Sequence, residues 1–165
     1  MTELSVIVPI YNAEQFVPTA VESLRRNWFD GVEFVLVDDC STDGTPAALE
    51  AHAETLPGAR LVSLDSNVGL ASARNAGLDA AVGRHVAFFD VDDWLAPGYL
   101  ARLLAAITAL DCDFVRVDHV QVFGQRRRIV RSPETRRDRP LAPRDSILPA
   151  HRSTGIDYPY SWAGV

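Results

Sequence analysis

Asp90, Asp92 and Asp93 close an apolar run, His85-Val86-Ala87-Phe88-Phe89, that has the length and composition of a buried strand. Three carboxylates so close together repel one another unless a cation or a set of tight donors compensates. A hard divalent ion with oxygen ligands is the simplest partner. In an extended chain Asp90 and Asp92 share one side, because side chains alternate with a period of two. Both then reach one cation, or one reaches the cation and the other a hydroxyl. Asp93 points elsewhere unless the chain turns. The plainer alternative is a set of turn and capping acids ahead of Trp94 and Pro97.

Three further groups of residues carry chemistry. Asp38 and Asp39 end a second apolar run, Val32-Glu33-Phe34-Val35-Leu36-Val37. An acid there can accept a base-edge N–H or sugar hydroxyls, or cap its own turn through Asp39, Ser41 and Thr42. Asn67, Gly69 and Arg74 follow a third run. Gly69 suits a place where backbone approaches a ligand. Arg74, in an otherwise small and apolar helix, reaches phosphate oxygens or pairs with an aspartate at the sheet edge. Pro9, Tyr11, Asn12 and Glu14 end the first run: Tyr11 can lie against a base ring or pack in the core, and Glu14 can cap a helix. His85, His119 and His151 have no partners at metal-ligand spacing.

The elements that position these residues alternate regularly. Strands are expected at residues 4–9, 32–37, 60–64 and 86–89, each a short apolar run of the kind buried in parallel sheets. Helices are expected at 13–27, 45–54, 70–81 and 98–110. Asn12 caps the first, whose stripe is Val17, Ala20, Val21, Leu24 and Trp28. Pro46 is tolerated in the first turn of the second. The third is rich in Ala and Gly and can approach a sheet closely. A fifth strand is expected over 114–122. Repeated strand–helix units with short connections predict a three-layer α/β/α domain with a mostly parallel sheet. All the polar groups above then lie at the carboxyl ends of strands, where open α/β sheets bind ligands.

Composition narrows the chemistry. The chain has 165 residues, 47% hydrophobic and 23% charged, enough for a core of its own. Its net charge of -6 gives no global attraction to nucleic acid. All sixteen basic residues are arginine, which excludes a lysine-based phosphate loop and a Schiff base. Cys40 and Cys112 give neither a disulfide framework nor a zinc pattern, and a reducing compartment is expected. No run reaches the roughly 18 to 20 apolar residues that span a bilayer. Residues 126–152 hold nine arginines, three acids and four prolines, the composition of an exposed basic loop or hairpin. The aromatic end, residues 158–165, reads as a core element cut short. Residues 1–124 are therefore expected to form the core, and 125–165 the arginine-rich loop and the start of an incomplete second region.

Four stretches, in this order, carry a resemblance. They are Val6-Ile7-Val8-Pro9-Ile10-Tyr11-Asn12, Val35-Leu36-Val37-Asp38-Asp39-Cys40-Ser41-Thr42-Asp43-Gly44-Thr45, Asn67-Val68-Gly69-Leu70-Ala71-Ser72-Ala73-Arg74-Asn75-Ala76-Gly77 and Phe89-Asp90-Val91-Asp92-Asp93. Together they resemble the family 2 glycosyltransferases, with the Rossmann-like GT-A fold, over residues 4 to 110. Cys40 stands where many relatives have glycine or another small residue. The resemblance implies inverting transfer from a nucleotide-diphosphate sugar to a hydroxyl acceptor, in cell-wall or polysaccharide biosynthesis. Pro9, Tyr11 and Glu14 would border the nucleoside, Asp39 would bind the base, and Asn67 and Arg74 would help hold the nucleotide or diphosphate. Asp90 and Asp92 would belong to the DxD region touching ribose and Mn2+ or Mg2+, with Asp92 and Asp93 nearest the metal.

The acceptor's general base is not visible in this chain. Asp145 and Asp157 lack the expected setting, and the base is expected beyond Val165. The alternative is a nucleotide-sugar-binding module without turnover. A nucleotidyltransferase would want glycine or basic residues in the loop after the first strand, where Tyr11-Asn12-Ala13-Glu14 stands. The arginine-rich segment is expected as a solvated flap, with peripheral membrane contact as its competitor. No nucleic-acid partner is expected. The expected location is the cytoplasm, at the inner face of the plasma membrane if that contact exists.

Overall fold

The computed structural model describes residues 1–113, 115, 117 and 119–130. Strands β1 (Leu4–Ile10) and β2 (Val32–Asp38) form its centre and are buried almost throughout. That is the burial of strands covered on both faces. β3 (Ala59–Ser63) pairs outside β2, and β4 (His85–Phe88) pairs with β1 on the other side. The order is β3-β2-β1-β4, and every pairing is parallel.

Parallel neighbours need crossovers, and these are right-handed. Helices α1 (Val17–Arg25) and α2 (Thr45–Ala53) carry the chain outward from β1 to β2 to β3. They therefore share one face. Helix α3 (Leu70–Ala80) returns the chain past β1 to β4 and so covers the opposite face. Helix α4 (Tyr99–Leu110) follows β4. This is the three-layer arrangement that the alternating pattern predicts.

Period-two alternation divides the core between the layers. Ile7, Val35 and Val37 face α3 and cluster with Ala73. Gly77, one turn further along α3, has no room for a side chain: a Cβ there would collide with Ile7 Cγ2. The small residues of α3 thus let the helix lie directly on β1 and β2. Val6, Val8, Phe34 and Leu36 point the other way, toward the layer where Val17, Ala20, Val21 and Leu24 of α1 and Leu49 of α2 are buried. Each such side chain contributes about 1.5–3 kcal/mol on leaving water, which is why the apolar runs and not the loops decide this architecture.

Three expectations change. Helix α1 begins at Val17, not Ala13, and its N-cap position is Phe16. Asn12 is not its cap; it adopts φ 48 and turns its side chain to another loop. Trp28 lies past the helix end and is 43% exposed, so it is not part of the stripe.

The chain forms two compact units, Met1–Leu104 and Ala105–Val165. In the second, the expected fifth strand is found as β5 (His119–Phe123), paired antiparallel with β6 (Arg126–Val130) in a separate sheet. The two-residue connection Gly124-Gln125 allows only an antiparallel hairpin, and Gly124 takes φ 58 there. Arg126, Arg127 and Arg128 are exposed on β6. Arg136, Arg137, Asp145, Asp157 and residues 158–165 lie outside the described residues. Among the described residues no helix is long and apolar enough to cross a membrane.

Candidate functional site

The sheet order places a switch point beside β1: one neighbour, β2, continues outward, and the other, β4, is reached only by the return through α3. Ligands of open α/β sheets bind at the carboxyl ends flanking such a point. Pro9 helps to open it. Odd-numbered residues of β1 direct their backbone groups toward β4, since the Phe89 N–H donates to the Ile7 carbonyl at 3.0 Å. Pro9 is the next residue in that phase and has no N–H to donate. The β1–β4 ladder stops there, and the chain after Phe89 leaves the sheet. Pro9 itself is buried in β1, while Tyr11, two residues on, is 48% exposed.

What leaves the sheet is a tight turn. The Asp93 N–H donates to the Asp90 carbonyl at 2.9 Å. The extended arrangement of Asp90 and Asp92 expected from alternation is therefore replaced by a turn. Asp90 accepts from Arg74 of α3, with Nη2 to Oδ1 at 2.8 Å. The Arg74 guanidinium also lies over the Phe88 ring, 5.8 Å from its centroid. Of the two readings of Arg74, the geometry shows the pair with an aspartate at the sheet edge. Asp92 and Asp93 are exposed. Among the described residues no group of three or more His, Cys, Asp or Glu side chains converges as a metal cage.

Asp39 follows β2 and is almost completely buried. Its Oδ1 accepts the Val68 N–H at 2.8 Å and its Oδ2 accepts the Gly69 N–H at 2.9 Å. Asn67 Nδ2 donates to the Asp39 carbonyl at 3.3 Å. Gly69 is the N-cap position of α3, so Asp39 satisfies backbone donors at the start of that helix and places a negative charge at its positive end. Gly69 holds φ 82 and ψ 161, a region essentially restricted to glycine. A Cβ at Gly69 would meet nothing within 4 Å, so it borders open space. The turn after β2 is capped instead by Asp38, whose Oδ1 accepts the Ser41 N–H at 3.2 Å. Cys40, beside it, has φ 56, a left-handed conformation that glycine adopts more readily.

The loop after β1 is latched to the loop after β2. Asn12 Oδ1 accepts the Thr42 N–H at 2.8 Å, and the Ala13 N–H donates to Thr45 Oγ1 at 2.8 Å. Glu14 Oε2 accepts the Gly44 N–H at 3.2 Å. Glu14 therefore caps α2, the neighbouring helix, rather than α1. Asp43 holds the Thr45 N–H at 2.9 Å, and hydrogen bonding with Thr45 lowers its carboxyl below the ordinary range.

Two features of the chain after the acidic turn are not readable from spacing. Ser23 and Asn27 of the α1 region are buried and bond to the chain after the acidic turn: Ser23 Oγ accepts the Leu95 N–H at 2.8 Å, and Asn27 Oδ1 accepts the Leu100 N–H at 3.3 Å. Tyr99 has its hydroxyl pushed up to about 12, by burial first and by the charge of Asp93 second. Ser23 lies off the i, i+3, i+4, i+7 stripe of Val17, Ala20, Val21 and Leu24, so periodicity gave no signal for its burial.

Comparison with known proteins agrees with this geometry. Succinoglycan biosynthesis protein ExoO of Rhizobium meliloti is 38% identical over 122 residues, 74% of this chain and 34% of that protein. The crystal structure of S. aureus TarS 1-349 in complex with UDP-GlcNAc superposes with a TM-score of 0.64 at 34% identity, covering 68% of this chain and 33% of that one. The mannosyltransferase PcManGT from Pyrobaculum calidifontis, in complex with GDP-Man and Mn2+, gives 0.60 at 32% identity, covering 67% of this chain and 33% of that one. The chain thus spans about a third of the length of these relatives. Its residues 5–158 match glycosyl transferase family 2, and with that match, the parallel GT-A-like sheet and the acidic turn at its switch point, the chain belongs to that family.

Proposed function

We propose that this chain binds a nucleotide-diphosphate sugar at the carboxyl ends of β1, β2 and β4, for inverting transfer of the sugar to a hydroxyl acceptor. The observation that carries the reading is the exposed pair Asp92 and Asp93 on a turn anchored by the Arg74–Asp90 ion pair. Tyr11 is exposed where a base ring would lie, and Asp39 keeps acceptor capacity beyond its two backbone bonds for a base-edge N–H. Gly69 borders open space, and Asn67 is exposed two residues before it. Pro9 and Glu14 act through the shape of the loop. In the transfer, the acceptor oxygen attacks the anomeric carbon from the face opposite the diphosphate, whose bond to that carbon breaks. The acceptor proton passes to a general base, to which this reading assigns no residue among those described.

The donor set fits a divalent cation delivered with the substrate. Mg2+ and similar ions are held by one or two carboxylates together with substrate phosphates, and two exposed carboxylates are present. Asp92 and Asp93 would hold Mn2+ or Mg2+, which would supply charge stabilisation to the departing diphosphate. A diphosphate is itself anionic, and the edge presents Asp39, Asp90, Asp92 and Asp93 against Arg74, so a cation balances the complex. Exposed Arg126, Arg127 and Arg128 support peripheral contact with an anionic membrane face, through vesicle binding that salt would abolish.

Calorimetry of the chain with UDP, GDP and dTDP sugars, each with and without Mn2+, tests the donor site. Metal-dependent binding is expected with at least one, and Asp92→Ala should remove it while leaving the fold intact. A folded sample that binds none of them in a metal-dependent way overturns the reading.

A further inference from the structure

We infer that Ser23 and Asn27 are positioning residues for the acidic turn, setting where Asp92 and Asp93 stand. The inference rests on the donor-site reading above. Ser23 and Asn27 are buried to 0% and 2% exposure and lie four residues apart, on one face of the α1 region. Burying a polar side chain is unfavourable unless it is hydrogen-bonded, and both are. Asn27 Nδ2 donates to the Ser23 carbonyl at 3.0 Å, which orients the amide so that Oδ1 faces Leu100. Ser23 Oγ faces Leu95.

The two acceptors meet the chain at its least regular stretch. Between the turn and α4, residues 94–98 form no strand or helix. Leu95 is two residues past Asp93, and Leu100 lies in the first turn of α4, where backbone N–H groups have no partner within the helix. The upstream end of the acidic turn is held by α3, through Arg74 and Asp90. The downstream end is held by α1, through Ser23. Asp92 and Asp93 are thus exposed carboxylates between two anchors, one part-buried at Arg74–Asp90 and one at the buried Ser23, drawn from helices on opposite faces of the sheet. A carboxylate pair held this way need not be ordered when the ligand arrives, and pre-organisation of that kind raises affinity.

The test uses Ser23→Ala and Asn27→Ala in the full chain, with Leu49→Ala as a control that loses core volume at α2. UDP and GDP affinities are measured with and without Mn2+, alongside thermal melting and amide exchange at Leu95 and Leu100. In the wild type both amides are protected; free exchange at either overturns the inference. In Ser23→Ala the Leu95 amide is released, and the Mn2+-dependent gain in affinity falls about tenfold, as loss of one buried hydrogen bond implies. Metal-free binding is unchanged. Asn27→Ala acts in the same direction through Leu100 and serves if Ser23→Ala does not fold. Leu49→Ala lowers the melting temperature but keeps the Mn2+-dependent gain. Equal losses with and without metal, or a retained gain after the Leu95 amide is released, overturn the positioning role. A wild type with no Mn2+-dependent gain overturns the donor-site reading itself.

Discussion

Asp39→Asn changes one carboxylate oxygen to an amide without changing size. In the wild type the two oxygens accept N–H groups at 2.8 and 2.9 Å from consecutive residues, Val68 and Gly69. An amide can offer oxygen to only one of them and sets donor against donor at the other. Hydrogen bonds to a charged group contribute about 1.5–3 kcal/mol, and neutral ones about 0.5–1.5 kcal/mol. One bond is therefore weakened by about 1 kcal/mol and the other is lost outright. The charge at the start of α3 contributes about 0.3–1 kcal/mol more. Asp39 is only 3% exposed, so water recovers little of this at the carboxylate, although it reaches the Val68 side. The sum is a loss of about 3–5 kcal/mol, a large share of the roughly 5–15 kcal/mol by which domains are stable. Urea unfolding reads it as a lower midpoint with an unchanged slope, and amide exchange at Val68 and Gly69 should speed up in the same variant. A loss below about 0.5 kcal/mol would refute the reasoning, because neither the charge nor the second bond would then be holding the loop.

Gly69→Ala should destabilise by about 1–3 kcal/mol, wholly through backbone strain at φ 82 and ψ 161. Since nothing lies within 4 Å of the added atom, the loss carries no steric part, and a melt showing no loss would refute the strain. Gly77→Ala sets a gain of about 1 kcal/mol in helix propensity against about 1–3 kcal/mol of overpacking on Ile7; a net fall in melting temperature is expected, and a rise would show that α3 can retreat. The Tyr99 phenol, ordinarily near 10.0, should titrate near 12 by tyrosinate absorbance, and Asp93→Asn should bring it only part of the way down because burial is the larger cause. A raised folded-state value favours the neutral phenol, so the stability that depends on it is intact below pH 10 and fades as pH climbs toward 12; Tyr99→Phe should remove that component of alkaline unfolding.

The central strands β1 and β2 were legible because buried parallel strands are short continuous apolar runs, and Pro, Gly or Asp punctuates each of the four strands here. Helix α3 was legible for a related reason: a run of Ala and Gly has no use on a surface but allows close packing on Ile7 and Val37. What spacing could not show were side chains whose partners are far away in sequence. Asn12 stands where a helix cap belongs, yet its acceptor serves Thr42 in another loop. Asp39 looked like a residue of its own turn or of a base site, and its carboxylate bonds to residues 68 and 69. Ser23 lies off the α1 stripe, and spacing gave it no partner. The start of α1 was misplaced for the same reason, since the latch to the β2–α2 loop, not local propensity, governs residues 12–14. The extended geometry expected for Asp90 and Asp92 failed because alternation holds only while pairing continues, and Pro9 ends it.

The aspartates at this edge divide their labour, and the division bears on the proposed metal. Asp38 caps its turn, Asp43 the start of α2, Asp39 the start of α3, and Asp90 pairs with Arg74. Counting acids in the sequence therefore overstates the metal ligands, and the turn leaves Asp92 and Asp93 as the exposed pair. Two carboxylates suit a donor-borne ion better than three. Mg2+ demands near-octahedral coordination and usually keeps several waters beside the phosphates it carries. A third protein carboxylate would take a coordination position from the diphosphate and add repulsion where the leaving group gathers negative charge. By tying Asp90 to Arg74, the fold removes that repulsion and uses the acid to hold the turn. For the donor site proposed here, the ion pair is thus a condition for metal-assisted departure rather than a competitor to it, and Arg74→Ala should weaken Mn2+-dependent nucleotide binding even though Arg74 is bound to an aspartate.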